Sequence, residues 1–302
     1  MIRYVLVLLL IPTPVWSWGF FAHKQINRYA ITTLPPGMFA FYKKNLVFLT
    51  EKSVNPDKRR YRVLGEAAKH FIDMEAYLST DPAVLAKKPT HGIVPWAIVK
   101  VQKQLTQAFV AKNSARILKL SADLGHYVAD AHVPLHTTQN YNGQLTGQEG
   151  IHALWETRLP LLFFESYNFF VGPACYIEHP FAHGWSIVTH TYSLVEKVLR
   201  VEKEISAQYP ALLKYSFEQN GCVLQKQYSR AFSTSYHEKL QGQVEACFQK
   251  SILAVGSFWL TAWVNAGSPN LDELDGSIPI QKEENLSQNQ TKELDDIRDC
   301  PD

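Results

Sequence analysis

A chain of 302 residues with 46% hydrophobic and 19% charged side chains has apolar sequence enough for a packed core, which excludes a disordered or low-complexity protein. Its formal net charge of +2 is unevenly spread: residues 268–302 carry ten acidic and three basic side chains, leaving +8 on the body from 18 to 267. A basic body suits a phosphate-bearing substrate or an anionic membrane surface, though Lys and Arg scattered over solvated helix faces would give the same total.

In chain order, residues 1–17 read as a secretory signal. Arg3 supplies the positive start, Tyr4 to Ile11 the apolar run, and Pro12 and Pro14 the break, with Val15 and Ser17 placed for cleavage before Trp18. The apolar run is too short to span a bilayer. Export is the expectation, periplasmic or secreted, with Trp18 as the mature N-terminus. No cysteine follows the cut, which argues against a lipid anchor there. Four cysteines (Cys175, Cys222, Cys247 and Cys300) fit an oxidising compartment; three pairings are open, and none shows the CxxC spacing of a cysteine zinc site.

From Trp18 onward, His23, Ile26, Ala30 and Ile31 recur at helical spacing, giving a helix that ends before Pro35-Pro36. Gly37 to Leu49 reads as a second helix and the charged stretch 51–63, with Pro56 and Asp57, as a loop and turn. In the next stretch His70 and Asp73 are three apart, able to share a helix face. Residues 95–112 and 114–132 read as two long amphipathic helices, and 186–207 and 243–266 as two more. The aromatic run after Glu156 suits core packing better than a lipid-contacting lip. The last helix has only a short apolar stretch and reads as core, not as a membrane span. No β alternation and no internal repeat stand out. Beyond Gly267 the polar, acidic composition predicts a disordered tail over 268–302, where Asn285 and Asn289 begin N-x-[ST] sequons. The fold expected is all-α, a single helical domain over 18–267.

The chemistry concentrates between His126 and Glu156. His126 and Asp130 are four apart on one helix face, and His152 and Glu156 repeat that spacing after a Gly-, Asn- and Gln-rich loop. His136 lies between, just after Pro134. Imidazole and carboxylate at i, i+4 offer two ligands to one divalent ion, and two such pairs within 31 residues point to a metal site. His91, His179, His183, His190 and His237 are read as packed or surface residues, and His132 as at most a supporting one.

This pattern resembles the zinc-dependent phospholipase C and single-strand-specific zinc nuclease superfamily, over residues 18–156 and more weakly beyond. The resemblance implies an all-helical phosphodiesterase with three zinc ions in a cleft. It would give Trp18, through its α-amine and carbonyl, one ion together with His23 and Asp130. Asp57, His70, His126 and the bridging Asp130 would hold a second, and His136, His152 and Glu156 the third. An all-nitrogen and oxygen donor set suits catalytic zinc, and ions bridged by a carboxylate generate hydroxide near neutral pH for attack on a phosphate ester. The α-amine becomes a ligand only after signal removal, so the uncleaved chain is expected to lack one zinc.

Asp57 and Asp130, with Arg60 (or Arg59) clamping a phosphate oxygen, are the expected catalytic residues. Trp18-x4-His23 matches the nucleases, as do Phe71 and Asp73, placed there to stack on and hydrogen-bond a base. Glu156 matches the phospholipases, whereas Phe21 stands where those enzymes use an acidic residue for choline. The substrate therefore stays open between single-stranded nucleic acid and phospholipid, with peripheral membrane contact in the second case. The alternative is an exported zinc-binding protein without turnover.

Overall fold

The computed structural model describes residues 19–77, 89–220 and 223–274. The signal stretch, Trp18, Cys222, Cys300, the two sequons and the tail from 275 onward lie outside the described residues.

Helix α1 (Gly19–Ala30) buries Ala22, His23, Ile26, Asn27 and Ala30, a single stripe at helical spacing. The expected second helix is two, α2 (Pro36–Lys44) and α3 (Leu46–Lys52), separated at Asn45, whose side-chain amide donates to the Phe41 carbonyl at 2.9 Å. The expected charged loop contains a short helix, α4 (Asn55–Arg60), with Pro56 in its first turn, where a missing N–H leaves nothing unpaired. Asp57 therefore sits on a helix. The helix face expected to carry both His70 and Asp73 is not formed. Ala67–Lys69 is a single 3-10 turn and residues 71–73 are irregular before α5 (Met74–Tyr77). Their backbone groups pair outside the segment: Ile72 N–H donates to His136 O at 2.9 Å and Asp73 N–H to His91 O at 2.8 Å.

Helices α6 (Val94–Val110) and α7 (Ser114–Asp130) are the two long helices that the sequence predicts. They pack on each other, and Asn113 caps the second by accepting from Arg116 N–H at 3.0 Å. Every residue of α7 from Ser121 to Asp130 is buried, so its C-terminal half runs through the interior. A π-helical turn at Ala153–Arg158 leads into α8 (Leu159–Phe163). The helix expected over 186–207 is again two, α9 (Pro180–Tyr192) and α10 (Val195–Gln208). After α11 (Ala211–Lys214) come strands β1 (Tyr215–Asn220) and β2 (Val223–Tyr228), then α12 (Arg230–Leu240) and α13 (Gln243–Asn265).

The β1–β2 hairpin is a correction to the sequence reading. Tyr215 pairs with Tyr228 and Asn220 with Val223, so two residues separate the strands in sequence. The described residues otherwise contain no strand, and the structure is mostly helical, consistent with an all-α single domain.

Helix α13 is the core helix its apolar stretch predicts, packing against α1, α6 and α7. Trp259 is wholly buried, donates from Nε1 to Ser121 O at 2.9 Å, and lies 5.0 Å from the Tyr42 ring. No helix among the described residues is long and apolar enough to cross a membrane. The aromatic run after α8 divides: Phe164 and Tyr167 join the core, while Phe170 is exposed. The packed chain continues past 267, because Leu271 is buried and Trp263 Nε1 donates to Pro269 O at 2.9 Å. Cys175 and Cys247 are not bonded to each other; Cys175 is exposed, and burial pushes the Cys247 thiol up to about 12.

Candidate metal centre

Six segments deliver eight of the nine expected ligands to one buried region. His23 comes from α1, Asp57 from α4, His70 from the end of its 3-10 turn, and His126 and Asp130 from α7. His136 comes from the 3-10 turn Pro134–Thr137, and His152 and Glu156 from the start and middle of the π-helical turn. Trp18, the ninth, lies outside the described residues.

Asp130 is the junction. Its Oδ2 stands 2.9 Å from His70 Nδ1 and 3.2 Å from His126 Nε2; its Oδ1 stands 3.2 Å from His23 Nε2. Asp57 Oδ1 completes that side at 3.3 Å from His126 Nε2 and 3.5 Å from His70 Nδ1. On the other side Glu156 Oε2 is 2.6 Å from His152 Nε2 and 3.3 Å from His136 Nε2, and Glu156 Oε1 reaches toward His23 Nε2 at 4.0 Å. The donor atoms group as His70–His126–Asp130, His136–His152–Glu156, His23–Asp57–His126 and His23–Asp130–Glu156, each within 4.8 Å. A tetrahedral ion with bonds near 2.0–2.2 Å separates its ligand atoms by roughly 3.3–3.6 Å, the range of several of these contacts.

The outer hydrogen bonds fix which nitrogen faces inward. Nδ1–H of His126 donates to Ser53 O at 2.9 Å, that of His136 to His70 O at 2.8 Å, and that of His152 to Tyr141 O at 3.1 Å. A carbonyl only accepts, so each Nε2 turns a lone pair inward. His136 Nε2 and His152 Nε2 then stand 3.1 Å apart, and His126 Nε2 lies 3.0 Å from His70 Nδ1. Lone pairs this close, beside carboxylates, repel unless a proton or a cation lies between them. Among the described residues, the buried His23 Nδ1, His70 Nε2 and Asp130 Oδ1 have no hydrogen-bond partner. The residues present fit metal ions.

Without a metal, protons take the cation's place. Burial alone would raise the Asp130 carboxyl, but His126 and then His136 outweigh it and hold it well below the carboxylate range. Asp57 is lowered to about 2 in the same way, with burial outweighed by His126, His70 and His23. Glu156 is lowered by His136 and His152 against burial. Conversely, burial would lower His126, but Asp130 and Asp57 raise it well above the ordinary imidazole value, and Glu156 and Asp130 raise His136. Burial dominates at His70, which falls to about 4.

A second polar network, unforeseen from the sequence, braces α4 against α7. Arg59 lies 3.2 Å from both Glu66 Oε1 and Asp123 Oδ2, while Tyr127 O–H and Lys69 donate to Glu66. The Tyr127 ring in turn meets His70 edge-on, with centroids 5.5 Å apart. Arg59 is thus engaged within the fold, with its side chain 29% exposed. Arg60, the other expected clamp, is 8% exposed. Of the expected base-binding pair, Phe71 is buried with its ring against Gly92, and Asp73 is buried 3.6 Å from His91 Nδ1. Neither stands at an open face. His132 is buried and donates from Nδ1 to Val128 O at 2.7 Å, outside the donor groups.

Gly125, beside His126, also went unnoticed. A Cβ there would lie 2.1 Å from Asn27 Oδ1, because α1 and α7 touch at this point. Gly125→Ala is expected to destabilise the fold by about 1–3 kcal/mol and, by parting His23 from Asp130, to weaken metal binding about tenfold. Denaturant unfolding and metal titration of the variant check this.

The centre opens narrowly. The Asp57 side chain is 23% exposed, whereas those of Asp130, His70 and His126 are at or near zero. A cavity of about 640 Å³ lies between α9 and α13 and shares His132 with a smaller pocket lined by His23 and Glu156. No family model matches the chain, and no curated protein matches it in sequence.

Proposed function

We propose that the protein is an exported zinc-dependent phosphoric diester hydrolase of the phospholipase C and single-strand zinc nuclease kind. The observation that carries this reading is the convergence on Asp130 of two imidazole–carboxylate groups built only from nitrogen and oxygen donors. Asp57, His70, His126 and Asp130 would hold one zinc, His136, His152 and Glu156 another, and His23 with Asp130 a third, completed by the Trp18 amine after signal removal. Bound zinc supplies Lewis acidity toward phosphoryl oxygens and acidifies water.

The protein's own groups do the rest. The carbonyls of Ser53, His70 and Tyr141 hold three imidazoles with Nε2 inward, so no reorientation is needed when an ion arrives. Burial of Asp130 and His126 keeps bulk water from competing for the donors. Asp57, the most open carboxylate of its group, marks the side from which a phosphodiester would approach. The burial of Phe71 and Asp73 weakens the nucleic-acid alternative without removing it.

Zinc-loaded protein is expected to hydrolyse bis(p-nitrophenyl) phosphate, to lose that activity to chelator, and to regain it with zinc. Tight zinc binding without turnover would favour the second reading, an exported zinc-binding protein.

A further inference from the structure

The hairpin that the sequence did not reveal has two unlike faces. Cross-strand partners point the same way, so Phe217 with Lys226, and Gln219 with Leu224, form one face beyond the pair of half-buried Tyr215 and buried Tyr228. On that face Phe217 is 68% exposed and Leu224 66%; in the adjoining α11, Leu212 is 94% and Leu213 59% exposed. Four large aliphatic and aromatic side chains thus stand in solvent within one short segment. Lys226 holds its ammonium 4.2 Å from the Tyr215 ring centroid and has no carboxylate partner among the described residues.

The opposite face is committed to the protein. Glu218, the one acidic residue between 211 and 230, takes both guanidinium nitrogens of Arg158, at 3.0 and 2.5 Å. At the Tyr215–Tyr228 end of the first face Lys214 lies 2.8 Å from the buried Glu202 and over the Tyr215, Tyr228 and Phe232 rings, so that end is tied to the protein as well. The negative charge is neutralised inward, while the apolar residues and Lys226 are left outward. This arrangement is also tied to the metal centre, since Arg158 is two residues from Glu156 on the same π-helical turn. The Tyr228 ring lies within 3.6 Å of where a Cβ on Gly150 would stand, two residues before His152.

We propose that α11 and the two strands, Ala211–Asn220 and Val223–Tyr228, are a lipid-docking element, inserting Leu212, Leu213, Phe217 and Leu224 among acyl chains while Lys226 meets anionic headgroups. An apolar surface with a cation at its edge and its only carboxylate withdrawn is complementary to an anionic bilayer. A polyanionic nucleic acid would find one unpaired cation and four apolar side chains, a poor match. The proposal rests on the phosphodiesterase reading for its purpose, and chooses phospholipid, held at a membrane surface, as the substrate class.

The full mature protein, zinc-loaded, is to be sedimented with vesicles of equimolar phosphatidylglycerol and phosphatidylcholine and with phosphatidylcholine alone. The expected result is binding to the anionic vesicles that falls roughly tenfold or more in the Phe217→Ser/Leu224→Ser double variant. Lys226→Ser is expected to weaken binding to the anionic vesicles only. Zinc content and hydrolysis of the soluble bis(p-nitrophenyl) ester should match the parent in each variant, which separates loss of docking from loss of the centre. Vesicle binding absent in the parent, or equal in parent and double variant, overturns the proposal whatever the soluble ester shows. So does a dimer that the same substitutions dissociate, or single-stranded DNA binding that they abolish. Absence of soluble-ester turnover, by contrast, removes the phosphodiesterase reading and leaves the vesicle result to stand by itself.

Discussion

Asp130→Asn is expected to cost the protein metal binding, the proposed phosphodiester hydrolysis and much of its stability together. Asn keeps the size and one acceptor but removes the charge shared by His23, His70 and His126, all within 3.2 Å of the carboxylate oxygens. Orienting groups one step removed from a metal are worth about 10–100-fold in affinity, so a ligand common to two sites should cost at least about a hundredfold at each. Hydrolysis of a phosphodiester should fall to the chelated background. The metal-free variant suffers too, since the carboxylate is the counter-charge that keeps His126 protonated in a buried site. Breaking a buried pair of this kind costs about 3–5 kcal/mol, which in a domain of this size lowers the melting temperature by about 6–20 °C. Calorimetry and metal analysis of the variant measure both effects. Unchanged zinc content would mean that Asp130 is not the junction.

The second large effect is metal removal from the native chain. An ion present at about a thousand times its dissociation constant adds about 4 kcal/mol, so chelation should lower the melting temperature by about 8–16 °C for each such site. The size of the drop should depend on pH, with a definite sign. In the metal-free chain His126 and His136 have raised values, so their contribution is complete below the ordinary imidazole value and lost as pH rises through the raised ones. Asp130, Glu156 and Asp57 are depressed, so theirs is present above the ordinary carboxylate values and lost as pH falls through the lowered ones. A metal must displace the protons on the imidazoles, and its affinity rises with pH. The gap between loaded and chelated melting temperatures should therefore widen from about pH 5.5 to pH 8. A constant gap would mean that loading releases no protons.

The helical class and the two imidazole–carboxylate pairs were legible in the sequence because both depend on spacing, whereas the joining of His23, Asp57 and His70 to them was implied only by the resemblance. His126 with Asp130, and His152 with Glu156, sit four apart, and the core stripe of α1 and the apolar run of α13 repeat at helical period. What escaped was set by contacts distant in sequence. Asp57 looked like a loop residue because Pro56 reads as a turn when its role in the first turn of a six-residue helix is not considered. His70 and Asp73 seemed to share a helix, but Ile72 and Asp73 give their N–H groups to His136 and His91, partners no local pattern contains. The Ser53, His70 and Tyr141 carbonyls that aim the imidazoles carry no side-chain signal at all. The placing of Glu66 and Asp123 beside Arg59, and the burial of Arg60, are tertiary facts that no local pattern contains. The hairpin did leave a local mark, the Asn220-Gly221 dipeptide, hidden because Phe217 and Leu224 are exposed and the strands lack a regular apolar alternation.

The central claim is that these donors hold metal ions, one of them completed by the freed Trp18 amine. The direct measurement is zinc content per chain by elemental mass spectrometry after equilibrium dialysis of the signal-cleaved protein, alongside a form with one extra residue ahead of Trp18. The account predicts three ions per chain in the first and two in the second. Less than one ion per chain in the cleaved protein would contradict it.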